Sequence, residues 1–183
     1  MLMRALIFLI ETAAGFFTVL LLLRFLMQWA RAPRNPVADF VNALTNFIVR
    51  PVRRVVPGLW GLDLSTLLLA WLTQFLELVL VLTIIADPLR GTIGGPMLAG
   101  VALIALTNVL RLLLYIVIAV VILQAVLSWV NPYSPIAPLL NTLTRPFLRP
   151  LQRVIPMVAN VDLSPLVVII ICQLLLIALS SIT

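Results

Sequence analysis

The sequence contains no histidine and no lysine, a single cysteine, and only 10% charged residues. Without histidine the commonest ligand of haem and of metal ions is missing. One cysteine and no clustered carboxylates leave no zinc or two-metal site. No serine stands in a nucleophile–base arrangement, and no glycine-rich phosphate loop is present. We therefore expect no cofactor, no bound metal and no enzymatic activity.

Apolar residues dominate what remains. They make up 63% of the 183 residues, and the mean hydropathy is +1.24. A soluble protein with so few charged residues could not bury that much apolar surface. Twelve basic residues, all of them arginine, stand against six acidic ones. These arginines lie mostly between apolar runs. We therefore expect an integral membrane protein that contacts anionic lipid headgroups and does not bind nucleic acid.

One polar stretch occurs twice, at 50–65 and at 149–164. An offset of 99 residues aligns the two copies and carries Asn42 onto Asn141, while Trp29 aligns with Trp129 at an offset of 100. A period near 100 residues is too long for a solenoid, whose repeats run roughly 20 to 50 residues. We interpret the chain as a tandem duplication, with the shared residues Arg50/Arg149, Pro51/Pro150, Arg54/Arg153, Val55/Val154, Pro57/Pro156, Asp63/Asp162, Leu64/Leu163 and Ser65/Ser164.

The apolar runs predict an all-α membrane protein with four transmembrane helices, at 5–29, 65–86, 108–130 and 165–182. The first would be roughly 37 Å long, enough to cross a bilayer with tilt. The run from 97 to 130 is too long for one span, so we predict a break at Thr107 and Asn108, with an interfacial or re-entrant piece at 97–106. This division gives a first repeat at 1–87, a linker or interfacial piece at 88–104, and a second repeat at 105–183.

The connectors 30–62 and 131–163 are predicted to lie in the plane of the membrane. In the first, a helical apolar face is formed by Phe40, Val41, Leu44, Phe47 and Ile48. Pro51 is expected to end that helix, and further prolines should make the second connector less regularly helical. Arginine stems can lie along the acyl surface while their guanidinium groups reach phosphates. The residues assigned to lipid or partner binding are Arg50, Arg53, Arg54, Arg149 and Arg153.

The repeated Asp-Leu-Ser motif predicts the starts of two helices. In the first copy, Ser65 offers its hydroxyl to the first amides of the helix and Asp63 complements the helix dipole. In the second, Asp162 precedes Ser164, which we place at the cap position with Pro165 as the first helical residue.

The charged residues Glu11, Glu77 and Arg111 fall inside predicted spans. Such residues are candidates for function. An offset of 100 places Arg111 where the first copy has Glu11, so we predict an ion pair of Arg111 with Glu11 or Glu77 across the repeat interface. The alternatives are snorkelling of each group to the outer surface, or a role in transport.

The distribution of arginine predicts topology. The connector 30–62 carries five arginines and 131–163 carries three, whereas the other side holds Arg4 and Arg90. Because positive residues stay cytoplasmic, both connectors should face inward and both termini outward. Each repeat has an even number of spans, so the two copies should be parallel and related by a pseudo-two-fold axis along the membrane normal.

The doubled motif resembles the YggT family. The resemblance rests on R-F-L-M-Q-W-A at 24–30, R-P-V-R-R-V-V-P at 50–57, D-L-S at 63–65, R-P-L-Q-R-V-I-P at 149–156 and D-L-S-P at 162–165. It implies a small multi-pass protein of the bacterial plasma (inner) membrane, with links to osmotic-stress tolerance. Plastid relatives are similar to factors for cytochrome haem attachment and for nucleoid or division-site organisation. The two copies differ at Arg53/Gln152 and Trp60/Ala159.

Two functions fit these features. The first is a non-enzymatic membrane scaffold or assembly protein, whose arginine-rich connectors bind the cytoplasmic leaflet and partner membrane proteins. The second is a small transporter or stress-linked channel lined by Gln74, Glu77, Arg111 and Gln173. A third interpretation assigns the arginine–proline motif to topology alone, although that does not explain why the same arginine register occurs twice.

Overall fold

The computed structural model describes residues 1–56, 63–85, 95–154 and 162–181. Within these ranges the chain forms helices and no strand. The six helices are α1 (Leu2–Trp29), α2 (Pro36–Val55), α3 (Leu64–Ile85), α4 (Gly95–Val130), α5 (Ala137–Gln152) and α6 (Ser164–Ser180). The all-α prediction is confirmed, and the predicted spans at 5–29 and 65–86 correspond closely to α1 and α3.

Three of these helices, α1, α3 and α4, are long and apolar enough to cross a membrane. The fourth predicted span corresponds to α6, which has 17 residues. At 1.5 Å per residue it is about 26 Å long, a little less than the roughly 30 Å of a bilayer core. The chain is a membrane protein by this evidence, and the four-span arrangement stays a prediction.

Helix α4 corrects one prediction. It is a single helix of 36 residues, so the expected break at Thr107 and Asn108 is absent, as is a separate piece at 97–106. The Thr107 hydroxyl donates to the carbonyls of Leu103 and Ile104, at 3.1 and 2.8 Å, and so bonds within the helix without interrupting it. The Trp71 indole of α3 also donates to the Ala102 carbonyl at 3.0 Å, which fixes the first part of α4 against α3.

The prolines of the connectors also act differently from the prediction. Helix α2 does not end before Pro51 but continues to Val55, and α5 passes through both Pro146 and Pro150. A proline inside a helix removes one backbone hydrogen bond. Val49 and Leu148 are buried in the core beside these prolines. We attribute the continuity to this tertiary packing, which outweighs the local signal.

The core lies toward one end of α1 and of α3. The first thirteen residues of α1 are mostly exposed, whereas the stretch from Thr18 to Met27 is largely buried against α2, α3 and α4. Leu21 and Leu22 are fully buried there. Helix α4 contacts α1, α3, α5 and α6, so it joins the two halves of the chain. The buried end of α1 is therefore the place where the polar connectors meet the spans.

Candidate functional site

The start of α3 is tied to α1 and α2 by one carboxylate. Asp63 forms an ion pair with Arg53, in which the Asp63 side chain is 3% exposed and the Arg53 side chain 48%. With its amide nitrogen toward Asp63, Gln28 of α1 donates to Asp63 Oδ2 at 2.8 Å and accepts from Arg53 at 3.2 Å. Burial by itself would raise the pKa of Asp63, but its hydrogen bonds with Arg53 and Ser65, together with the charges of Arg53 and Arg24, hold that pKa below its ordinary value. Asp63 is therefore an ionised link between three helices.

The predicted capping role of Ser65 is wrong. Helix α3 begins at Leu64, so Ser65 already lies in its first turn. Its hydroxyl donates to the Val56 carbonyl at 2.9 Å, which is the residue that follows α2. The first backbone bond of α3 runs instead from the Thr66 amide to the Asp63 carbonyl, and the Thr66 hydroxyl donates to the same oxygen at 2.7 Å. Ser65 thus joins two helices because the chain folds back between them.

The second copy makes the corresponding contact with a neutral donor. Gln152, which aligns with Arg53, donates to Asp162 Oδ2 at 2.8 Å. Asp162 Oδ1 accepts the Ser164 amide at 2.9 Å. Burial would raise the pKa of Asp162, yet its hydrogen bonds with Ser164 and Gln152 lower it. The predicted cap at Ser164 is wrong by one residue. Helix α6 begins at Ser164, and Asp162 accepts the first helical amide.

Arg24 is a polar residue of the core that the sequence reasoning passed over. It is 5% exposed, and its Nη1 donates to Thr45 Oγ1 at 2.6 Å and to Asn46 Oδ1 at 3.1 Å. Its Nε has no hydrogen-bond partner. At the corresponding place in the second copy, Gln124 donates to Asn141 Oδ1 at 3.0 Å. An arginine inside an otherwise apolar run was the signal that could have singled out this position.

The five arginines assigned to lipid or partner binding are all exposed, namely Arg50, Arg53, Arg54, Arg149 and Arg153. Arg53 is different because its guanidinium is engaged by Asp63 and Gln28. Its assignment to lipid binding is therefore corrected to a structural role, which the sequence did not reveal because the acidic partner lies ten residues away.

The predicted apolar face of α2 divides into two faces. Phe40, Leu44 and Phe47 are 58%, 37% and 71% exposed, whereas Val41 is buried against the protein. Ile48 is half-buried. In α5 the apolar face turns inward, with Leu139, Leu140, Leu143, Thr144 and Leu148 buried. Of the two connector helices, α2 alone therefore presents a row of large apolar side chains outward.

The predicted ion pair between the spans is not formed. Arg111 donates to the Leu179 carbonyl at 3.0 Å, at the end of α6, where the helix dipole favours a cation. Glu77 accepts from Gln74 Nε2 at 2.6 Å. Among the described residues no ion pair joins Arg111 to Glu11 or Glu77. Similar depth in the sequence did not bring these groups together, because α6 occupies the position beside Arg111.

Thr18, Gln74 and Glu77 form a small polar cluster inside the spans. Gln74 is buried and also donates to Thr18 Oγ1 at 3.4 Å, so it links α1 to α3. Glu11 and Gln173 are exposed on their helices. In the part of the chain that the structure describes, no three His, Cys, Asp and Glu side chains are grouped to hold a metal ion.

Comparison with known proteins places this chain in a family. The CCB3/YggT family description matches residues 3–84 and 103–183. The chain is 32% identical over 170 residues to the uncharacterized protein YggT of Escherichia coli K12, covering 92% of this chain and 85% of that one. It is 33% identical over 165 residues to the uncharacterized protein PA0392 of Pseudomonas aeruginosa, covering 88% and 81%.

A third relative, an uncharacterized protein of Vibrio alginolyticus, is 31% identical over 170 residues, which are 92% of this chain and 89% of that one. No solved structure matches the chain significantly. Because the family description covers most of both halves, and relatives above 30% identity align over most of their length, this chain belongs to the CCB3/YggT family.

Proposed function

We propose that this protein is a non-enzymatic scaffold of the bacterial inner membrane, whose connectors bind the cytoplasmic leaflet and neighbouring membrane proteins. The observation that carries the proposal is the outer stripe of α2, defined as Phe40, Leu44, Phe47, Arg50 and Arg54, which are all exposed. These residues follow one another at helical spacing along one face. The stripe begins apolar and ends basic.

This order suits the boundary between acyl chains and headgroups. Burying a leucine or phenylalanine side chain contributes roughly 1.5 to 3 kcal/mol, so the first part of the stripe favours the acyl region. An arginine near an anionic leaflet contributes about 1 kcal/mol. Its planar guanidinium can bind a phosphate through two parallel hydrogen bonds. The exposed apolar residues of α2 share one face, as in helices that lie in the membrane plane, and the arginines at its end can reach the headgroups.

The second connector is better suited to binding a partner protein than to inserting into lipid. Its apolar face is used by the protein itself, as described for α5. The residues just before α5 leave Trp129, Tyr133 and Ile136 exposed. Tryptophan and tyrosine are enriched both at membrane interfaces and at protein interfaces. We propose that this end of the second copy receives a neighbouring membrane protein, and that four spans in two parallel repeats hold both connectors on one side.

Lipid retention tests the leaflet-binding part. The full chain is reconstituted in nanodiscs of phosphatidylcholine with phosphatidylglycerol, and the lipids retained by the purified protein are quantified by mass spectrometry. Replacing Arg50 and Arg54 together by glutamine should lower the retained anionic fraction, by up to about thirtyfold if each contributes its full share. The matched control replaces Arg4 and Arg90, which lie on the opposite predicted side. Equal retention by both double variants would refute the proposal.

Topology is tested separately with single cysteines in a Cys172→Ser background. Cysteines at the exposed positions Pro33 and Tyr133, which lie in loops outside the stripe, should be inaccessible to a membrane-impermeant maleimide added to intact spheroplasts, and should react after lysis. A cysteine at the exposed Met3 should react without lysis. Labelling of either connector position from outside would place the connectors on the wrong side and overturn the arrangement.

A transporter is the second candidate, and the Thr18–Gln74–Glu77 cluster is the observation that favours it. Buried polar groups inside spans are characteristic of transport pathways. Ion and solute flux into liposomes that contain the full chain distinguishes the two functions. The scaffold proposal expects the same leak with and without protein. A flux that Glu77→Gln abolishes and Glu11→Gln does not would support transport instead.

A further inference from the structure

A polar cavity of about 360 Å³ lies between the last turns of α1, the segment 31–34 and the first turns of α2. Its lining includes three arginines, Arg24, Arg31 and Arg34, together with the amides of Gln28 and Asn42. One carboxylate, Asp39, lines it too, so arginines outnumber acids three to one. We call this space the arginine cavity. None of the residues of the outer stripe of α2 lines it.

Arg24 forms the buried wall of the arginine cavity. Its guanidinium has hydroxyl and amide partners at Nη1, but no described carboxylate lies within ion-pairing distance, and its Nε is unpartnered. A buried charge without an opposite charge is costly, and a buried donor without an acceptor adds to that cost. An anion held in the cavity would supply the missing charge.

Arg31 is held in a conformation that its residue type disfavours. Its φ is 53°, the only positive value among the described non-glycine residues. The Arg31 amide donates to Gln28 O at 3.0 Å and the Ala32 amide to Met27 O at 2.8 Å, which is the Schellman motif that normally has glycine at this position. An L-residue with a side chain is strained in this conformation. Such strain collects at functional sites, and here it directs a second arginine to the cavity.

The second copy lacks this site. The corresponding cavity is about 100 Å³ and is lined by Gln124, Ser128 and Asn141 where the first copy has Arg24, Gln28 and Asn42. No arginine lines it. Gln124 and Asn141 are hydrogen-bonded to each other across it. Both copies therefore have a cavity lined at the same aligned positions, but only the cavity of the first copy is large and lined by arginines.

We propose that the arginine cavity binds a phosphate group. Several guanidinium groups around one space match the several oxygens and the charge of a phosphate, each through parallel N–H···O bonds. The cavity lies at the end of α1 beside Trp29, the level at which phosphate headgroups occur in a bilayer. The phosphate can belong to a lipid headgroup or to a soluble anion, and the chemistry of the site is the same for both.

The test uses the full chain and two probes. Inorganic phosphate is titrated calorimetrically into protein in a neutral detergent. Separately, the protein is reconstituted in nanodiscs of phosphatidylcholine with phosphatidic acid, and bound phosphatidic acid is measured by native mass spectrometry. The decisive variants are Arg34→Gln and Arg31→Asn. Arg34 and Arg31 are exposed, and asparagine tolerates the left-handed conformation. Each variant should weaken binding by about tenfold or more.

Three further variants distinguish binding at this site from an effect of the overall positive charge. Arg145→Gln removes an exposed arginine that lines neither cavity and should leave affinity unchanged. Arg24→Gln reproduces the second copy and should abolish binding, although the decision rests on the exposed variants because Arg24 also holds the fold. The double Arg50/Arg54 variant should retain the site, so this proposal and the proposed function can fail independently.

The outcomes are distinct. Binding of inorganic phosphate with the expected losses identifies a site for a soluble anion, and binding of phosphatidic acid alone identifies a lipid site; both support the proposal. If neither inorganic phosphate nor phosphatidic acid binds, the proposal is overturned. Equal losses in Arg145→Gln and Arg34→Gln also overturn it, because the effect would then be one of overall charge.

Discussion

The two partners of the Arg53–Asp63 pair differ in burial, so we expect their replacement to cost different amounts of folding free energy. Asp63 is almost completely buried, while about half of Arg53 reaches solvent. Replacing Arg53 by alanine leaves a buried carboxylate with only Gln28 beside it, and losing a hydrogen bond to a charged group costs about 1.5 to 3 kcal/mol. Replacing Asp63 by asparagine leaves an arginine that water can solvate, so we expect a loss of about 1 kcal/mol, as for exposed pairs.

The second copy suggests a third variant. Arg53→Gln reproduces the neutral Gln152–Asp162 contact, so it should cost less than Arg53→Ala because a donor to the buried carboxylate remains. Unfolding free energies can be measured by titrating dodecyl maltoside micelles with sodium dodecyl sulfate and following helix content. Gln152→Ala is the matched control, and we expect it to cost less than 1 kcal/mol because its contact with Asp162 is exposed.

The pH dependence gives an independent check. In the wild type the pKa of Asp63 is lowered on folding, so its contribution is present above the unfolded pKa and is lost as the pH falls through the folded value. Without Arg53, burial should raise that pKa, and the cost of Arg53→Ala should shrink as the solution is acidified toward about pH 4. The reasoning is refuted if Arg53→Ala, Arg53→Gln and Asp63→Asn cost the same at neutral pH, or if the cost of Arg53→Ala grows with acid.

Three further predictions concern the fold. Pro51→Ala should raise the unfolding free energy, by at most about 3 kcal/mol, because it restores a backbone donor inside α2; the same detergent titration measures it, and a loss of stability would show that the proline shape is required. Spin labels at positions 98 and 126 of a Cys172→Ser protein should be about 42 Å apart if α4 is continuous, and a much shorter electron–electron distance would restore the break at Thr107. Leu22→Ala should cost about 2 to 5 kcal/mol because Leu22 is fully buried, whereas Leu174→Ala, at an exposed position of α6, should cost far less in the same titration; equal losses would contradict the described core.

Much of the fold could be predicted from the sequence because helix formation in a membrane is governed by local properties. Runs of apolar residues predicted α1 and α3 within a few residues, and the absence of strands from the described part of the chain follows from the same pattern. The local signals failed where packing opposed them. Thr107 and Pro51 both resemble helix ends in isolation, but a threonine hydroxyl can bond within the helix and neighbouring core residues can hold a helix through a proline.

The candidate site was predicted only in part. The exposed arginines of the connectors were found because repeated basic residues beside prolines stand out in an apolar sequence. The burial of Arg24, the partner of Arg53 and the division of the α2 face were not, since each depends on how helices pack across the chain. Arg24 reaches Thr45 and Asn46, 21 and 22 residues away, and Arg111 reaches Leu179, 68 residues away.

The sequence by itself therefore determined the apolar character of the chain, its helical class and the recurrence of one polar stretch, because composition and periodicity carry that information. Only the tertiary structure decided which arginines are bound by other side chains of the protein. It also decided that one copy of the duplicated framework encloses a charged cavity and the other a small neutral one. The physical reason is that a polar side chain in a sparsely charged membrane protein takes whichever partner the packing of the helices brings within about 3 Å.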